Sequence, residues 1–335
     1  MKRLLLGTVL LMLSLALGLA GCSKPDNSIR FGTGGTKGVY YAYGTEFSKL
    51  IADEDRNLSP AVKTTAGSAA NIRLLREGFL DLAIVQGDIL SDAVNGTGIF
   101  VSADAADGYA AVAGLYTEAC QIVVPKDSDI KSIYDLAGKR VSLGEKESGV
   151  LQNAEKILLA HSLTPNLLQA SYLSFADSAA ALENGEIDAF FCTAGAPTSA
   201  ISDLATRQEI RLIPIDLGIL ANMQKMYKGY TICTIPANTY PGQKEDIPAL
   251  GVKAILVANA AMPEKDVTRI TEILFRHAEE LHASLKLPTR TDISYATQDI
   301  PCAFHAGAAK YYEAQGISVN VYSGAPGRRL TAAQD

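Results

Sequence analysis

Tryptophan is absent from the 335 residues, and aromatic residues together make up only 7%. Histidine occurs four times and cysteine five times. No pair of cysteines has C-x-x-C spacing, and neither H-E-x-x-H nor G-x-S-x-G occurs, so the commonest metal and serine-hydrolase signatures are missing. Basic excess is missing too. Thirty Lys and Arg face 36 Asp and Glu, for a net charge of −6, and no basic cluster offers a face to nucleic acid. Glycine (28) and proline (13) stand near average usage, which excludes collagen-like or linker-dominated chains. Beyond the N-terminal segment no hydrophobic run reaches membrane-spanning length, so the chain forms no channel by itself. What is present is ordinary globular composition, 48% hydrophobic and 20% charged, long enough for two domains or one large one.

The N-terminus reads as an address. Met1-Lys2-Arg3 precedes an uncharged run, residues 4–20, which ends in Leu19-Ala20-Gly21-Cys22. A basic start, an apolar middle and small residues at the end describe a secretory signal. Leu-Ala-Gly-Cys resembles the lipobox of bacterial lipoproteins. That resemblance implies a signal peptide over 1–21, cleavage before Cys22, a lipid on its sulfur, and a lipid-attached tether over 22–28. The expected location is extracytoplasmic, in the periplasm or at the cell surface. Four cysteines then remain: Cys120, Cys192, Cys233 and Cys302. Export permits disulfides, while their apolar surroundings fit buried free thiols; both readings stand.

Apolar patterning predicts strands at 29–31, 61–64, 82–85, 110–115, 121–124, 141–143 and 189–192. Helices are expected at 40–51, 71–77, 149–159, 178–183, 263–285 and 307–315, with a turn and short helix over 127–136. Strands alternating with helices make the class α/β. The order strand, turn, helix, strand, helix, strand occurs in 29–85 and again in 140–192, which suits two similar lobes with a cleft between them.

The most informative local feature is Gly32-Thr33-Gly34-Gly35-Thr36-Lys37-Gly38, joining a strand to a helix start. A glycine-rich backbone approaches a ligand closely, and the helix N-terminus offers unpaired N–H groups that suit phosphate or carboxylate. The P-loop pattern fails for want of Ser or Thr after Gly-Lys, and G-x-G-x-x-G fails at Lys37. His277 and His282, five apart, fall on different helix faces and read as solvated or packing residues. His161 reads as a surface residue, and His305 as structural. No nucleophile-base set emerges, so no enzyme activity, cofactor or metal is expected.

Several blocks together resemble the TAXI-type solute receptors of TRAP transporters: GTGGTKGVYYAYG at 32–44, AGSAANIRLL at 66–75, DLAIVQGD at 81–88, AGLYTEACQIVV at 113–124, DLAGKRVSLG at 135–144, IDAFFCTAGAP at 187–197, IPANTYPGQ at 235–243 and GVKAILVA at 251–258. The resemblance implies a type II periplasmic-binding-protein fold with two α/β lobes and a ligand cleft. Lobe I would comprise 28–118 plus 258–335, and lobe II 119–257. It implies a monomeric receptor that captures a small organic anion (a glutamate-like amino acid, a 2-oxo acid or a dicarboxylate) and hands it to ion-gradient-driven TRAP permease subunits. A binding protein feeding a sensor or chemoreceptor, and an exported enzyme on the same fold, are the alternatives.

Carried onto this chain, the resemblance makes Gly34, Gly35, Thr36 and Tyr40 ligand contacts, with Tyr40 equally suited to the core. Ser68 and Asn71 fit a second strand-to-helix turn, where Asn71 as a plain N-cap is the competing reading. Gln86 follows a buried strand, where open α/β sheets place ligand groups. Tyr116 would cover the ligand. Ser148, Gly149, Ala194, Gly195 and Ala196 would contribute from the second lobe. The loop Glu145-Lys146-Glu147 departs from the family's small residues. Its carboxylates either repel a dianion or stand in solvent. Arg73 is expected to face outward.

Overall fold

The computed structural model describes residues 28–101, 107–287, 292–325 and 327–329; the signal segment, the tether and Cys22 lie outside them. Strand β1 (Ser28–Gly32) buries Ile29 and Phe31. It pairs in parallel with β2 (Ser59–Lys63) on one side and β3 (Leu82–Gln86) on the other. All five residues of β3 are buried, as expected of a strand covered on both faces. Helices α1 (Val39–Glu54), α2 (Ser68–Glu77) and α3 (Gly87–Asn95) leave the carboxyl ends of β1, β2 and β3 in turn.

A second parallel set repeats this arrangement. Strand β5 (Arg140–Ser142) lies between β6 (Gln169–Ser171) and β7 (Ala189–Ala194). Helix α4 (Gly149–Ala160) follows β5, and α5 (Phe175–Glu183) follows β6. Two long antiparallel strands join the halves: β4 (Tyr109–Pro125) and a later strand at Ile247–Asn259. The sheet order is β2-β1-β3-(247–259)-β4-β7-β5-β6. Between its halves come α6 (Ser199–Arg207), β8 (Ile210–Leu212), α7 (Leu217–Met226) and β9 (Tyr230–Ile235), so the strand 247–259 is β10. Helices α8 (Glu264–Arg276), α9 (Ala278–Ser284), α10 (Ile293–Thr297) and α11 (Ala306–Ala314) complete the described elements. The α/β class and the central sheet match the expectation from patterning.

Four details differ from the sequence reading. The strands expected at 110–115 and 121–124 are one strand of 17 residues. The strand runs through Glu118, whose neighbours stay in register, Thr117 with Lys253 and Ala119 with Gly251. The helix expected over 263–285 divides at His277, whose ring nitrogens meet Glu54 (3.0 Å) and Glu280 (2.9 Å). Helix α2 starts at Ser68 rather than Asn71, so Asn71 is not its N-cap. His161 is buried, its Nδ1 hydrogen-bonded to the Ile157 carbonyl at 2.7 Å and its ring edge-on to Tyr134. His305 is structural, capping α11 by accepting the Gly307 N–H.

All four described cysteines are free. No helix among the described residues is long and apolar enough to cross a membrane. No cluster of metal-ligating side chains occurs among them either.

Candidate functional site

The carboxyl ends of the parallel strands in both halves turn toward one cleft. There the chain leaves each strand and enters a helix, and the N–H groups of that first turn have no intrahelical acceptor. The N-termini of α1, α2 and α4 all line the cleft, through Gly38-Val39, Gly67-Ser68 and Ser148-Gly149. Their partial positive charges converge on this cleft.

Local sequence explains how each piece is held. Thr33 sends both its N–H (2.9 Å) and its hydroxyl (3.0 Å) to the Lys63 carbonyl, pinning the glycine loop to the end of β2. Asn71 clamps the loop from behind. Its Nδ2 donates to the carbonyls of Thr33 (2.7 Å) and Ile84 (2.9 Å), while its Oδ1 accepts the Thr65 hydroxyl (2.7 Å). Gly67 stands at φ +120°, a conformation open to glycine, and delivers the chain into α2. Ser68 Oγ accepts the Gln86 N–H at 3.0 Å, fixing the end of β3 against α2. Across the cleft Ser148 caps α4 by accepting the Leu151 N–H at 3.1 Å.

The floor of the cleft is acidic. Glu118 of β4 is 1% exposed and receives the Tyr40 hydroxyl at 3.3 Å. Burial pushes its carboxyl up to about 8; hydrogen bonds from Gln86 and Tyr40 pull the other way, and the Asp88 charge adds to the rise. Burial, then the neighbouring Glu118, raises the Tyr40 phenol well above its ordinary value. Glu145 lines the mouth, and partial burial raises its carboxyl, with the Asp177 charge contributing. No Lys, Arg or His belongs to the described lining. Val39, Val150, Leu173 and Phe175 form an apolar wall.

Of the residues expected from sequence, the structure brings Gly34, Gly35, Tyr40, Ser68, Gln86, Ser148, Gly149 and Ala194 to this cleft. Asn71 stands behind it as the clamp described above. Thr36 is an exposed turn residue off the lining. Tyr116 does not cover the cleft: it is fully buried, with its ring 5.7 Å from that of Tyr43. Gly195 and Ala196 also lie off the lining; the Gly195 carbonyl accepts the Thr198 hydroxyl, and Ala196 precedes a cis proline. The charged loop divides. Glu145 turns inward, while Glu147 reaches Arg73 at 2.9 Å; Arg73 is exposed, as expected, and bridges to the other half of the molecule. Sequence reasoning passed over Glu118 and the apolar wall. Glu118 did carry a signal, being the one charged residue between 109 and 125.

Comparison with known proteins agrees with this architecture. A periplasmic transporter structure superposes with a TM-score of 0.57 at 12% identity, over 88% of this chain and 96% of that one. The binding component of an ABC phosphonate transporter from Pseudomonas aeruginosa gives 0.53 at 14% identity, over 79% and 80%. A putative L-cystine ABC transporter protein from Listeria monocytogenes gives 0.50 at 16%, over 79% and 98%. At these identities the likeness is one of fold, the two-lobed periplasmic-binding-protein fold. The profile of the NMT1-like family matches residues 31–316, most of the chain, and the protein belongs to that family.

Proposed function

We propose that this protein is an extracytoplasmic solute receptor that captures a small carboxylate-bearing molecule in the cleft and delivers it to a membrane permease. The observation that carries this reading is the convergence of three helix N-termini, from both halves of the sheet, on one cleft. Such a site holds a carboxylate by backbone N–H groups alone.

The halves meet around the cleft as lobes do when closed. The Ala70 N–H donates to the Glu147 carbonyl (3.1 Å), and Lys37 pairs with Asp203 (2.8 Å) on another edge. We divide them as 28–118 with 258–335 and as 119–257. The sequence blocks quoted above favour a TAXI-type receptor, a TRAP permease as partner, and a lipid anchor on Cys22. The similar solved structures include ABC-transporter proteins, and the fold is common ground between the two systems.

Thermal unfolding against glutamate, glutamine, 2-oxoglutarate, C4–C5 dicarboxylates, monocarboxylates and neutral amino acids tests the reading. A ligand at ~100 times its dissociation constant adds ~2.7 kcal/mol. A selective upward shift is expected. Absence of any shift, with no solute co-purifying by native mass spectrometry, would overturn it. Uptake in vesicles holding TRAP membrane subunits, with and without the receptor, tests the partner.

A further inference from the structure

The cleft carries three features that together narrow its ligand. The first is charge. Glu118 and Glu145 both line it, and no cationic side chain does. A dicarboxylate would bring its second negative charge into a lining with no cation to receive it.

The second is an orphaned acceptor. Gln86 is 2% exposed; its backbone N–H goes to Ser68, and its amide hydrogen-bonds Glu118. Its Oε1 is buried with no partner. Gly149 lies directly against that oxygen, so closely that any side chain at 149 would collide with it. A lone acceptor in a dry wall is costly unless the ligand supplies a donor. An ammonium supplies three, and a carboxylate supplies none.

The third is the wall of Val39, Val150, Leu173 and Phe175. It offers an uncharged surface to whatever projects beyond the polar end, where burial of hydrocarbon is favourable.

Building on the receptor reading, we propose that the ligand is an α-amino acid with an apolar side chain. Its carboxylate takes the N–H groups at the helix starts. Its ammonium is directed to Gln86 Oε1 and Glu118. Its side chain lies on Leu173 and Phe175. A dicarboxylate or 2-oxo acid lacks one or more of these matches.

Isothermal titration of the purified full-length protein with L-leucine, L-phenylalanine, L-glutamate, succinate and 4-methyl-2-oxopentanoate tests this. The last is leucine with its ammonium replaced by a carbonyl. Leucine or phenylalanine is expected to bind, and 4-methyl-2-oxopentanoate to bind about 10- to 100-fold more weakly than leucine. Phe175→Arg, at a half-buried position that adds a cation to the apolar wall, is expected to move preference from leucine toward glutamate. Glutamate binding the wild type as tightly as leucine would overturn the apolar side chain, succinate or the oxo acid doing so would overturn the amino-acid class, and either result would leave the receptor reading standing. Silence across these five and the wider acid panel, with no co-purified solute, would overturn both.

Discussion

Arg73 of α2 donates from its Nη2 to Glu147 Oε2 at 2.9 Å, spanning the gap between the two halves of the sheet, while the Glu147 backbone sits at φ +62°. The left-handed backbone costs about 1–2 kcal/mol for a non-glycine residue. It turns the Glu147 carbonyl to the Ala70 N–H and its side chain to Arg73. Both side chains are about half exposed, so the pair itself contributes at most about 1 kcal/mol and is screened by salt. Glu147→Ala is therefore expected to change the urea midpoint little, yet to speed ligand release about two- to fivefold in stopped-flow displacement. Release rates that do not change would show that the pair plays no part in closure.

Glu118 predicts a pH dependence of stability in the unliganded protein. Its carboxyl titrates near 8 when folded against an ordinary value of 4.5, so between these values the folded chain holds a proton that the unfolded chain has lost. Unfolding then releases a proton, and stability falls as pH rises through that window, by up to about 1.4 kcal/mol per pH unit. His277, its pKa raised by hydrogen bonds to Glu54 and Glu280, contributes in the same sense, with stability present below about 6.5 and lost above. Glu118→Gln should remove the steeper part of the slope between pH 5.5 and 8 and leave the His277 part. Unfolding midpoints across that range read the difference, and parallel slopes for variant and wild type would contradict the assignment.

Asn71→Ala removes the clamp behind the glycine loop. It leaves the Ile84 carbonyl without its buried side-chain donor, at about 1–3 kcal/mol, while the Thr33 carbonyl keeps the Thr65 hydroxyl at 2.9 Å. A loss of about 1–3 kcal/mol in urea unfolding is expected, together with weaker ligand binding, because the loop from Thr33 to Gly38 loses its support. Full affinity in Asn71→Ala would place the loop outside the site.

Asp81 holds three parts of the chain. Its carboxylate takes Arg30 Nε (2.9 Å) and Nη2 (3.0 Å), the Arg30 N–H (2.8 Å) and Arg329 Nε (2.7 Å). Burial works to raise its pKa, but the two arginines and the backbone N–H together hold it below the usual carboxylate value. Its contribution is therefore present above its ordinary value of 3.8 and lost as pH falls through the lower folded value. Asp81→Asn should cost about 3 kcal/mol at pH 7, with the deficit shrinking in strong acid. Equal stability at pH 7 would refute this.

What the sequence made legible was local. The glycine turn, the apolar run of β3 and the start of α4 at Gly149 each follow from neighbours in the chain, and all lie where patterning placed them. What it hid was carried by distant partners. Tyr116 reads like a ligand cover but packs on Tyr43, and His161 reads as exposed but is held by Ile157 and Tyr134. The role of Glu118, a lone charge in an apolar run, was hidden as well. Its partners Tyr40 and Gln86 come from elements 78 and 32 residues away, beyond the reach of periodicity.

Strand β4 changes partners at Ala119, which pairs with Gly251 of β10 and with Ala194 of β7. Glu118 is the residue just before that junction, so the acid at the base of the cleft belongs to the segment that stitches the molecule together. Descendants of this protein that acquire new ligands will therefore find little freedom at position 118, where a change of charge is also a change in the seam. The turns at 145–148 and 173–174, which lead into α4 and α5, border the same space but belong to no strand of the sheet. Divergence in ligand choice should accumulate in those turns, while the strand is inherited intact.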